Sequence, residues 1–142
     1  MKFNFCIWLT CDKTNDIYKY NGGFYPHMTI KMNLSLKKSV EEYLKIGKCK
    51  IFIELVGDPV KSYEDGFAAV YYKIDFSKKN KFEKPIWWPK NAHVSFLYKY
   101  YKMITDSDIE NLKNKIKKKS FYLDKYKIMI CNDHHTLWKC IL

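Results

Sequence analysis

Twice along this chain a strand-like run carries a histidine followed two residues later by a hydroxyl, and each time a helix-like segment comes next. In the first unit, Pro26-His27-Met28-Thr29-Ile30-Lys31-Met32 alternates like a strand. Ser35 then opens a segment in which Leu36, Val40, Tyr43, Leu44 and Ile46 recur at helical spacing, and Gly47 supplies the stop. In the second unit, Ala92-His93-Val94-Ser95-Phe96-Leu97-Tyr98 is the strand. Thr105 caps a helix from Asp106 to about Lys118, with acidic residues at its positive end and lysines at its negative end. The helices begin 8 residues after His27 and 12 after His93. The order repeats although the residues hardly do. This predicts an α+β domain of two similar lobes facing each other across a cleft.

Further strands are expected at Phe3 to Leu9, Lys50 to Val56, Phe67 to Phe76, Tyr126 to Cys131 and Thr136 to Leu142. Turns are expected at Asn21-Gly22-Gly23, at Gly57-Asp58-Pro59, which ends its strand, and at Asn132-Asp133-His134-His135. At 142 residues with 47% hydrophobic composition, one domain over 1–142 with an ample core is expected. The five cysteines form no CxxC pair. An odd count, without a signal peptide or a long apolar run, reads as reduced thiols in a monomeric cytoplasmic protein with no membrane association. Cys131, His134 and Cys140 match no standard zinc spacing, so neither metal nor cofactor is expected.

Residues two apart on a strand share a face, so His27 and Thr29 project together, as do His93 and Ser95, while Met28 and Val94 bury themselves behind. Two such strands would place two imidazoles and two hydroxyls around one phosphate. One imidazole removes a proton, the other donates one, and the hydroxyls bind the charged oxygens. Ser and Thr make up 12 of 142 residues, so a hydroxyl two places after a histidine is a chance of about one in twelve. His134-His135-Thr136 also fits, but in a polar turn without a preceding apolar strand.

Pro26-His27-Met28-Thr29-Ile30 and Ala92-His93-Val94-Ser95-Phe96 resemble the paired motifs of the two-histidine (2H, LigT-like) phosphoesterase superfamily. The resemblance implies a bilobal fold with one motif at the centre of each lobe, a metal-independent phosphodiesterase, and His27, His93, Thr29 and Ser95 as its catalytic set. The small, Arg-free, Lys-, Asn- and Ile-rich chain is similar in character to viral members that destroy 2′,5′-oligoadenylate and so blunt RNase L signalling. Cyclic dinucleotides or 2′,3′-cyclic RNA ends would need the same residues. A non-catalytic basic RNA-binding module is the alternative of another class.

All 26 basic residues are Lys, and the net charge of +11 favours anionic partners. Strand parity puts Lys31 on the His27 face and Lys99 on the His93–Ser95 face, each about 13 Å from its motif and within reach of outer phosphates. Phe24, Tyr25, Trp87 and Trp88 precede the motifs. Tyr25 and Trp88 are candidates for stacking on a base, although core packing is the commoner fate of such rings.

Overall fold

Burial broadly alternates along the strand Phe67–Phe76, broken where the small Ala69 is buried as well. In Phe67–Phe76, Ala68, Val70, Tyr72 and Ile74 are buried on one side while Tyr71, Lys73 and Asp75 lie on the other. The computed structural model describes residues 4–11, 26–64, 67–100, 102–131 and 139–141. Their elements are β1 (Asn4–Thr10), β2 (His27–Leu34), α1 (Leu36–Lys45), β3 (Ile51–Glu64), β4 (Phe67–Phe76), β5 (His93–Tyr100), α2 (Asp106–Lys115), β6 (Ser120–Leu123), β7 (Lys125–Cys131) and β8 (Lys139–Cys140).

The strands form one sheet in the order β6-β3-β4-β5-β2-β1-β7-β8, and every pairing is antiparallel. The α+β class is therefore as expected, with the sheet continuous across both motif strands. Both helices pack on one face. Leu112 and Ile116 join Ile7, Leu9, Met28, Ile30, Val70, Tyr72, Val94 and Phe96 in a single core cluster there. Tyr43 of α1 donates to the Tyr126 carbonyl of β7 at 3.3 Å. Burying Met28 and Val94, at 1% and 0% exposure, anchors both motif strands from behind, at about 1.5–3 kcal/mol per side chain.

The helix starts follow their caps. Ser35 Oγ accepts from Lys38 N at 3.1 Å. Thr105 and Asp108 form a reciprocal capping box, with Asp108 N donating to Thr105 Oγ1 and Thr105 N donating to Asp108 Oδ2. The first helix stops at Ile46 in extended backbone, and the second ends at Lys115, short of Lys118.

Four register shifts shape the sheet, two between β1 and β2, one between β3 and β4 and one between β4 and β5. Gly57-Asp58-Pro59, expected to end a strand, instead interrupts β3, which resumes at Val60 opposite Tyr71. Gly57 takes φ 66°, and Pro59 sits where the ladder needs no donor. Two of the others, one in β2 and one in β5, mirror each other. Along β2, Thr29 faces Trp8 and Lys31 faces Ile7, so Ile30 is an extra residue. Along β5, Ser95 faces Tyr71 and Leu97 faces Val70, so Phe96 is extra. Each extra residue lies three places after its motif histidine. A four-residue strand, β6, was not expected and pairs with the start of β3. The expected turns at 21–23 and 132–135 lie outside the described residues.

Candidate functional site

The two motif strands are neighbours at the middle of the sheet, with His27 directly opposite Ser95. Stepping two residues along each strand in opposite directions, the same register carries Thr29 towards His93. Facing residues have Cβ atoms about 4.5–5.5 Å apart and diagonal ones about 7–8 Å, so each imidazole has the other motif's hydroxyl as its neighbour. All four project from the face opposite the helices, since Met28 and Val94 point into the helix-side core.

Local bonds fix both histidines. Thr10, across the ladder from His27, donates its buried hydroxyl to the Pro26 carbonyl at 2.6 Å and pins the backbone just before the motif. His93 Nδ1 lies 3.0 Å from the Asn91 carbonyl. A carbonyl only accepts, so Nδ1 carries the proton and Nε2 is left for chemistry. Ser95 is buried and Thr29 half-buried, and among the described residues neither hydroxyl has a hydrogen-bond partner.

An aromatic ring backs each histidine from its outer neighbouring strand. Trp8 of β1 stacks on His27 with centroids 3.5 Å apart and planes 7° from parallel. Tyr71 of β4 lies 4.6 Å from His93 at 49°. Tyr98 approaches His27 from the other side at 6.3 Å. None of these rings was singled out from the sequence. Trp8 had a legible signal, because Cys6, Trp8 and Thr10 alternate with the core residues Ile7 and Leu9. Tyr98 had none, because only the Phe96 bulge turns it onto this face. The two environments differ: His27 is 2% exposed, whereas His93 is partly open to solvent.

The two lysines are not where parity put them. The Ile30 bulge turns Lys31 to the helix side, where it bonds Glu42 of α1 at 2.9 Å. The Phe96 bulge does the same to Lys99, which bonds Asp108 of α2 at 2.7 Å. Each lysine ties its strand to the helix that follows. The Glu42 carboxyl is held below its usual value chiefly by the bond from Lys31, and that of Asp108 chiefly by the bond from Lys99 and then by the Thr105 N–H. Trp88 also belongs to the helix side: it packs edge-on against Phe76 at 5.4 Å beside the core, and Trp87 packs against Tyr126. Tyr25 and Phe24 lie outside the described residues, as do His134 and His135.

An open cleft of about 460 Å³ adjoins His93, lined among others by Tyr71, Lys73, Asp75, Lys90 and Asn91. Among the described residues no group of three His, Cys, Asp or Glu side chains is placed to hold a metal, and no helix is long and apolar enough to cross a membrane. Compared with known proteins, the chain matches no protein-family profile and no curated sequence.

Proposed function

We propose that the chain is a metal-independent two-histidine phosphodiesterase acting on a nucleotide substrate, with 2′,5′-oligoadenylate as the substrate of choice. The observation that carries the reading is the register of β2 against β5, with His27 opposite Ser95 and both motifs on one face. Two imidazoles and two hydroxyls on neighbouring strands of one face are the parts acid–base phosphoryl transfer needs. The mirrored bulges, rings and helix ties on either side of that seam support the two-lobed arrangement of the superfamily that the motifs resemble.

In a 2′,5′ linkage the free 3′-hydroxyl is the nearest nucleophile to phosphorus. One imidazole takes its proton as the 3′-oxygen bonds to phosphorus. The bond to the 5′-oxygen breaks, and the second imidazole gives that oxygen its proton. The products are a 2′,3′-cyclic phosphate and a 5′-hydroxyl end. Thr29 and Ser95 hydrogen-bond the non-bridging oxygens as charge gathers there. Loss of 2′,5′-oligoadenylate would remove the activator of RNase L.

The test is turnover of 2′,5′-triadenylate against 3′,5′-triadenylate, a cyclic dinucleotide and the 3′-deoxy 2′,5′ analogue, all in EDTA. Cleavage of the first, with a cyclic phosphate caught early by mass spectrometry and the 3′-deoxy analogue inert, is expected. Equal cleavage of the 3′-deoxy analogue would show water to be the nucleophile. RNA binding without turnover of any diester would make the chain a binding module instead.

A further inference from the structure

The cleft beside His93 lies on the motif face. Val56 comes from β3; Tyr71, Lys73 and Asp75 come from β4; Lys90 and Asn91 come from the segment entering β5. Its volume of about 460 Å³ falls within the ~300–1,000 Å³ usual for small-ligand sites, which admits one nucleotide. Its lining includes His93 and, among the described residues, no side chain of β2. The chemistry of its walls is mixed in an informative way. Tyr71 supplies an aromatic wall already set by its contact with the His93 ring. Lys73 and Lys90 supply two exposed ammonium groups, and among the described residues neither forms an ion pair. Lys31 and Lys99, by contrast, are consumed by carboxylates on the helix side. Asp75 and Asn91 add polar groups suited to hydroxyls.

We propose that this cleft is a subsite for a phosphorylated nucleoside, the unit next to the one cleaved. The two lysines hold its terminal phosphate, Tyr71 bears against its base, and Asp75 accepts from a ribose hydroxyl. The subsite deepens the phosphodiesterase reading and rests on it for the statement that this unit belongs to a substrate. Phosphate recognition in this chain therefore falls to Lys73 and Lys90, in place of the two lysines that strand parity nominates.

Equilibrium binding of adenosine 5′-monophosphate and of adenosine tests this without requiring turnover. The proteins compared are the unaltered chain, the double variant Lys73→Ala/Lys90→Ala, the single variant Lys37→Ala on the helix side as a control for lost charge, and His27→Ala. The nucleotide should bind the unaltered chain and His27→Ala alike. It should bind the double variant at least about tenfold more weakly, since each charge-assisted bond contributes about a factor of ten or more. Lys37→Ala should change binding less than about twofold, because that charge is distant and screened. Adenosine should bind weakly and equally to all four. Unchanged nucleotide binding in the double variant, or no nucleotide binding by the unaltered chain, overturns the subsite. Nucleotide binding that follows the lysines in a protein cleaving no diester would leave the subsite standing and sink the enzymatic reading. Diester cleavage with a KM indifferent to the two lysines would do the reverse.

Discussion

Each motif histidine has a distinct local chemistry, so single replacements should separate their effects. His27→Ala and His93→Ala should each remove activity by roughly 10²–10⁴-fold while the protein remains folded by circular dichroism. Near-normal turnover in either variant would sink the two-histidine assignment. Thr29→Ala and Ser95→Ala each delete one hydrogen bond to developing charge and should lower kcat by about 10²-fold, with less effect on KM. Trp8 stacks on His27, so under this reading it would act on the reaction through that ring. Trp8→Phe keeps a ring on the imidazole and should keep the fold, yet lower kcat roughly tenfold with KM nearly constant, as a small misplacement of the base or acid does. Because one imidazole must be neutral while the other is protonated, kcat/KM should be bell-shaped in pH. The two apparent values belong to the pair.

Among the elements, the helices are bound to the motif strands through Lys31–Glu42 and Lys99–Asp108. Lys31→Ala and Lys99→Ala should therefore leave KM almost unchanged and cost little stability, since both pairs are partly exposed and screened by solvent. The Asp108 carboxyl is depressed in the folded state, so its contribution is present above the ordinary carboxylate range and fades as pH falls through the folded value. Denaturant melts of Asp108→Asn should lose that acid-limb slope while matching the unaltered chain's slope near neutrality. Most elements were legible beforehand because alternation, Ser35 and Thr105 are local signals. What the sequence could not show was register. Parity assumes an unbroken ladder, and the extra residues Ile30 and Phe96 reverse it, because a bulge depends on the partner strand. Gly57-Asp58-Pro59 reads as a stop on its own, and only pairing with β4 reveals that β3 continues beyond it. Trp88 shows the same limit, since adjacency to a motif says nothing of which face of the sheet a loop crosses.

Across the whole molecule, the net charge of +11 would make capture of an anionic substrate a long-range event. Raising salt from about 50 to 200 mM should lower kcat/KM and leave kcat nearly constant, because screening weakens encounter more than the chemistry between bound groups. Activity should also survive EDTA; loss restored by one added metal ion would overturn the metal-independent mechanism.

Backbone pairing is unevenly spread over the described part of this sheet. Among the described residues β2 and β5 pair at His27–Ser95, whereas β3 and β4 are laced from Ile53 to Glu64. The seam between β2 and β5 should therefore open more readily than the β3–β4 ladder. Backbone amides at the seam should exchange with deuterium faster than those of β3 and β4, and should gain protection when a phosphate diester spans His27 and His93. Substrate would then act as the missing stitch, joining two half-sheets that the backbone itself leaves loosely sewn.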